Sequence, residues 1–68
     1  MLRIGSKVMT TGVVDDLDIT HQFGRIRQID EQSRWKYLIE FFTPVSGFDK
    51  WWCPEKNVIE LKRKHNWY

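Results

Sequence analysis

The residues able to do covalent or metal chemistry are few and poorly spaced for it. The chain has one cysteine, Cys53, and two histidines, His21 and His65. A nucleophilic cysteine needs a base within hydrogen-bond reach. Cys53 lies between Trp52 and Pro54, a setting that suits a small buried hydrophobe better than a nucleophile. Structural zinc draws on ligand pairs at CxxC or HxxxH spacing, and no pair among these three residues has it. Asp15, Asp16 and Asp18 form an acidic cluster. It lacks the central glycine and closing glutamate of an EF-hand calcium loop. Gly5, Gly12, Gly24 and Gly47 stand apart from one another, so no glycine-rich phosphate cradle is present. The expectation is a protein that is not an enzyme, with no metal site and no cofactor.

Binding chemistry is better represented. Arg25, Arg27, Lys36, Phe42 and Trp52 interleave cations with aromatic rings, and Lys62, Arg63 and Lys64 form a basic run near the end of the chain. Cations neutralise phosphates and aromatic rings stack on bases, so this mixture suits nucleic acid. It also suits a protein partner, because Trp, Tyr and Arg dominate interface hot spots. Net charge is only +2, and this near-neutral balance favours the protein partner. Its distribution is uneven: residues 1–24 carry two basic and three acidic groups, and residues 25–68 carry nine and six. The plain alternative is a solvated face in which Arg25 pairs with Glu40 and the basic run is a solubilising tail.

These side chains need a scaffold, and the sequence points to strands. There is no alanine, while Val, Ile and Thr total 15 and the aromatics ten. Such a composition fits half-buried pleated surfaces and withholds the best helix former. Ser6–Thr10 is expected as the first strand. Residues 11–22 form a long, acidic loop that can fold back as a hairpin. Phe23–Asp30 is the second strand and residues 30–34 a polar turn. Trp35–Phe42 shows the clearest period-two alternation and is the third strand. Residues 43–49, with Pro44 and Gly47, are a loop. Lys50–Cys53 is the fourth strand, Pro54–Asn57 a single helical turn, and Val58–Leu61 the fifth strand.

Pairing the second and third strands with Asp30 opposite Trp35 sets Ile26 against Ile39 and Gly24 against Phe41. It also sets Arg25 against Glu40, a cross-strand charge pair. Ile26 and Ile29 cannot both face inward on a regular strand, and a β-bulge near Gln28 reconciles them. The core is expected to contain Val8, Ile26, Tyr37, Ile39, Phe41, Trp51, Cys53, Val58 and Leu61. Alternation ending at the Pro54 turn places Trp51 inward and Trp52 outward; the opposite phase would exchange them.

With 68 residues the chain is one small domain or part of an assembly. One cysteine excludes an internal disulfide framework and fits a reducing compartment. No apolar run approaches a membrane span, and the start lacks the apolar core of a signal peptide. A cytoplasmic protein is expected.

Five short strands, a long early loop and a single turn before the last strand resemble the Src-homology-3 (SH3)-like small β-barrels. Gly5-Ser6-Lys7-Val8, followed by Gly24-Arg25-Ile26-Arg27-Gln28-Ile29-Asp30, is similar to the KOW and Tudor-type pattern. The same opening, with Tyr37-Leu38-Ile39-Glu40-Phe41, is also similar to the SH3-like accessory subunit of photosystem I. Trp51-Trp52-Cys53-Pro54-Glu55-Lys56-Asn57-Val58 resembles the closing turn and last strand of such barrels. The resemblance implies an all-β, five-stranded SH3-like barrel over residues 1–61, with a one-turn 3-10 helix before its last strand and a basic, aromatic tail over 62–68. The fold hosts many unrelated functions.

The functional expectation is a non-catalytic binding module. Its first form binds nucleic acid or a ribonucleoprotein through Arg25, Arg27, Lys36, Phe42, Trp52 and the Lys62–Lys64 run. Its second form docks on a protein complex through the aromatic surface and the acidic loop. No membrane and no small-molecule ligand are expected, and oligomerisation is left open.

Overall fold

The computed structural model describes residues 2–62. Seven strands and one short helical turn follow in order. They are β1 (Lys7–Thr10), β2 (Val13–Val14), β3 (Leu17–Asp18), β4 (Gln22–Ile29), β5 (Tyr37–Val45), β6 (Phe48–Cys53), a 3-10 turn (Glu55–Asn57) and β7 (Val58–Glu60). Five of the strands form one antiparallel sheet in the order β6-β5-β4-β1-β7, and β2 and β3 form a separate hairpin. The fold is therefore all-β. Among the described residues no helix is long and apolar enough to cross a membrane.

The β4–β5 register follows from small meeting large. Gly24 pairs with Phe41, Arg25 with Glu40 and Ile26 with Ile39, as alternation predicts. A Cβ on Gly24 would lie 2.3 Å from the Glu40 carbonyl oxygen, so the close approach of the strands requires glycine here. Past Ile26 the register shifts, and Gln28 faces Leu38 while Ile29 faces Tyr37. Two steps on β4 match one on β5, so Arg27 is the extra residue of the predicted bulge. Ile29 is thereby turned to pack against the core alongside Ile26.

The shift also corrects two expectations. The connection closes with the Asp30 N–H donating to the Lys36 carbonyl at 2.7 Å, one residue beyond the expected Asp30–Trp35 pairing, and Trp35 lies outside β5. The Glu40 carboxylate is taken by the Arg27 guanidinium rather than by Arg25, which is its register partner. The bulge frees Arg27 from a cross-strand neighbour and lets it reach diagonally.

The expected 43–49 loop is mostly strand. Val45 pairs with Phe48 around Ser46-Gly47, which both have positive φ, the signature of a two-residue type I′ turn. The expected long loop folds back as the β2–β3 hairpin around Asp15-Asp16, also with positive φ at both positions.

One core joins both sheets. Val8, Ile26, Tyr37, Ile39, Phe41, Cys53 and Val58 are buried as predicted, and Trp51 is half-buried against them. Leu61 is not buried, which corrects the predicted core. With Val58 inward on β7, period-two alternation turns position 61 out. The hairpin region adds Val14, Leu17 and Ile19, and β5 adds Val45. The buried Thr10 hydroxyl donates to the Ile19 carbonyl at 2.7 Å. The Trp51 indole Nε1–H donates to the Val14 carbonyl at 3.0 Å, and the Ile19 N–H to the Gly12 carbonyl at 2.9 Å. These bonds hold the hairpin against the sheet.

Candidate binding face

The outward side chains fall into cross-strand rows. One row runs Phe42, Phe23, Met9, Ile59 across β5, β4, β1 and β7. Met9 pairs with both Phe23 and Ile59, and one further step of the β4–β5 register sets Phe23 beside Phe42. Phe42 is 54% exposed, Ile59 46% and Phe23 44%. The next row contains Glu40, Arg25 and Lys7, with Arg25 and Lys7 directly opposite one another.

This second row is unusual physically. Like charges directly opposite in a sheet repel. Among the described residues no carboxylate pairs with either Lys7 or Arg25. Arg25 instead donates to the Gly5 carbonyl at 3.0 Å, and its guanidinium carbon lies 5.8 Å from the Phe42 ring centroid. Lys7, Gln22, Phe23, Phe42 and Thr43 line an open cleft of about 390 Å³. Two cations and two phenyl rings thus converge on one patch.

The other expected binding residues lie elsewhere. Arg27 is engaged by Glu40. The Lys36 ammonium is 3.3 Å from a Glu31 carboxylate oxygen and 3.9 Å from one of Glu55. The Glu31 contact holds the Lys36 pKa above its ordinary value. Trp52 is outward, as the favoured phase predicted, and sits beside Leu38. Leu38 and Phe42 are four residues apart on β5, about 13 Å along the strand, so Trp52 belongs to a different part of the face. Lys62 is exposed beyond β7. Arg63 and Lys64, with the rest of the expected tail, lie outside the described residues. The structure therefore brings together Arg25 and Phe42, and adds Lys7 and Phe23. Those two were legible: Lys7 precedes the inward Val8, and Phe23 precedes the inward Gly24, so alternation alone turns both out.

Around Trp52 the company is acidic. Asp15, Asp30, Ser33, Trp35 and Trp52 line an open cleft of about 540 Å³. Three segments build it: the β2–β3 turn, the β4–β5 connection and β6. Ser33 fixes the connection, its Oγ accepting the Trp35 N–H at 3.0 Å and its own N–H donating to the Asp30 carbonyl at 3.2 Å. Asp30 Oδ1 accepts the Gln32 N–H at 3.0 Å. The Asp15 carboxylate has no hydrogen-bonded or ion-paired partner among the described residues.

Cys53 is fully buried, and its Sγ–H donates to the Trp51 carbonyl at 3.4 Å. Burial, with a smaller contribution from the Asp15 carboxylate, pushes its thiol up to about 12. The thiolate that nucleophilic or metal chemistry needs is thus suppressed at neutral pH. Among the described residues no group of three or more His, Cys, Asp or Glu side chains is placed to hold a metal. Compared with known proteins, the chain matches no protein-family model, no curated protein sequence and no solved structure.

Proposed function

We propose that this protein is a non-catalytic binding module with an SH3-like barrel fold, and that it binds single-stranded nucleic acid, free or within a ribonucleoprotein. The strand order β6-β5-β4-β1-β7, the excursion after β1 and the 3-10 turn before β7 support the fold reading. The functional reading rests on one observation: the like-charged Lys7–Arg25 pair lies beside the exposed Phe23–Phe42 pair. Neither cation is ion-paired with a carboxylate among the described residues, and phosphate oxygens can supply that partner. Two phenyl rings offer stacking surface at the same place. Stacking with phosphate neutralisation is how sequence-tolerant single-strand binders work.

The test is a titration of the isotopically labelled protein with short single-stranded and double-stranded RNA and DNA, at about 50 and 200 mM salt. Amide shifts centred on Lys7, Phe23, Arg25 and Phe42, larger for single strands and shrinking at the higher salt, are expected. A flat response to all four ligands overturns the reading.

A second reading, docking on a protein, has its own support. The Trp35–Trp52 cleft pairs large aromatic surface with two carboxylates on a chain whose net charge is positive. Those carboxylates repel phosphate, so this cleft belongs to a different partner class.

A further inference from the structure

We propose that Thr43 is a phosphorylation site, and that its phosphate, held by Lys7 and Arg25, closes the Phe23–Phe42 patch to nucleic acid; the closing rests on the nucleic-acid reading. Thr43-Pro44 is the one Ser-Pro or Thr-Pro pair in the sequence. Proline-directed protein kinases select an acceptor followed by proline, whose missing N–H leaves no donor unsatisfied in an apolar subsite. They take the acceptor on extended, accessible chain.

The fold presents Thr43 in that form. Thr43 and Pro44 are exposed, and both lie on the extended backbone of β5. The β5–β6 register breaks between Glu40 and Val45, so no residue of β6 is a register partner of Phe42, Thr43 or Pro44. The Thr43 hydroxyl makes no hydrogen bond among the described residues. An extended stretch with an unpaired edge is where another chain can approach. In the transfer, the Thr43 Oγ attacks the terminal phosphorus of a kinase-bound nucleoside triphosphate. The new P–O bond forms as the bond to the bridging β-oxygen breaks. The diphosphate leaves, and the hydroxyl proton passes to the kinase's base.

The surroundings suit the product. Thr43 lines the open cleft with Lys7, Gln22, Phe23 and Phe42. Its phosphate brings a charge of about −1.5 to −2 at neutral pH, with strong acceptor oxygens. Lys7 and Arg25 are in no ion pair among the described residues, and Arg25 spends only one Nη on the Gly5 carbonyl. Glu40, the one carboxylate of β5, is held by Arg27. On β6, the adjacent Asp49 and Lys50 carry opposite charges. A phosphate attached beside Phe42 meets the two free cations at the high effective concentration of an intramolecular ligand. It occupies them before a strand's phosphates do, and repels those phosphates.

The experiment uses the full chain. The folded parent, Thr43→Val and Pro44→Ala are first incubated with ATP, Mg²⁺ and a proline-directed kinase, and phosphate is located by mass spectrometry. Incorporation at Thr43 is expected in the parent, and slower incorporation in Pro44→Ala; Thr43→Val is the blank. The Arg25 Nε–H signal is then compared by NMR between the parent and a chain synthesised with phosphothreonine at position 43. A shift is expected at about 50 mM salt, and a smaller one at about 200 mM. Anisotropy of a labelled single-stranded oligonucleotide completes the test, the phosphorylated chain binding about tenfold more weakly than the parent. A folded parent that takes no phosphate at Thr43 overturns the site. An unmoved Arg25 signal overturns the holding, and equal oligonucleotide affinities overturn the closing. If the parent binds no oligonucleotide, the nucleic-acid reading has failed and the closing with it, while the first two measurements still decide the site.

Discussion

The two aromatic corners of the outer face differ in the charges around them. At one, Phe23 and Phe42 stand with Lys7 and Arg25. At the other, Trp35 and Trp52 stand with Asp15 and Asp30. Both use rings that the sheet's alternation turns outward or that a connection leaves half-buried. Only the ionic company differs, and it reverses the sign of the ligand each corner suits. The arrangement teaches that a net charge of +2 is the residue of two local fields, one positive and one negative. Between them, Arg27 and Glu40 form an exposed pair that faces neither cleft's lining.

The largest way to break this comparison is through what the corners share. Gly24 underlies both, because β4 approaches β5 only where no Cβ intervenes. Gly24→Val should destabilise the fold by about 3 kcal/mol, the upper part of the range for forced overpacking. Urea denaturation measures it, and both binding activities should fall together. A stable Gly24→Val protein that lost only one of them would show that the corners do not depend on a common scaffold.

The Phe corner was largely legible in the sequence, and the Trp corner was not. Alternation around Gly24, Ile26, Ile39 and Phe41 determines the inner face, and the outer residues follow from it. The bulge was legible too, because Ile26 and Ile29 made incompatible demands on a regular strand. The hairpin that delivers Asp15 has strands of two residues each, too short for any period to show. Its turn uses Asp15-Asp16 with positive φ at both positions, where the preferred residues are Asn-Gly or Asp-Gly. The buried Val14, Leu17 and Ile19 carry no strand pattern of their own; tertiary contacts select them. Trp35 read as strand because it shares the parity of Tyr37 and Ile39. It keeps that parity in packing against the core, but the connection closes at Lys36 and the ladder ends before it.

Next in size is a pair of variants that separates the corners. Phe23→Ala with Phe42→Ala should weaken single-strand binding by about 1–3 kcal/mol per ring. Anisotropy of a labelled oligonucleotide reads the loss. If oligonucleotide affinity survived the double substitution, the stacking role of the Phe corner would be wrong.

Thr10 touches one corner only. Its buried hydroxyl donates to Ile19 and, at 3.3 Å, to the Gln22 carbonyl. Thr10→Val removes the hydroxyl from both carbonyls, of which that of Ile19 still accepts the Gln22 N–H at 3.3 Å, at a cost of about 1 kcal/mol. Amide exchange should quicken across residues 12–20. Unchanged exchange in the hairpin would show that the hydroxyl does not hold it.

Cys53 reports on the acidic corner from inside. Its folded pKa of about 12 exceeds the ordinary 9.0. Between those values the unfolded chain sheds the thiol proton and the folded chain keeps it. Stability should therefore decline as pH rises from 9 toward 12, on top of other alkaline effects, and Cys53→Ala should lack that component. Asp15→Asn should lower the folded thiol pKa, because it removes the nearby negative charge. Native-state alkylation across this range measures the shift; no difference between the parent and Asp15→Asn would remove Asp15 from the thiol's surroundings.

The smallest effect sharpens the comparison most finely, because it concerns two arginines two positions apart. Arg25 faces Lys7 and is in no ion pair among the described residues, whereas Arg27 holds Glu40. Counterion release scales with the number of phosphates neutralised, about 0.7 in the logarithmic salt slope for each contact on a single strand. Arg25→Ala should lower the slope by about one such contact. Arg27→Ala should leave it unchanged, or raise the negative field by freeing Glu40, and cost less than about 1 kcal/mol of stability as an exposed pair. Oligonucleotide binding measured at several salt concentrations decides between them. Equal slopes for the two variants would mean that phosphate contact does not follow the pairing of charges on this face, and the distinction drawn between its two corners would lose its electrostatic basis.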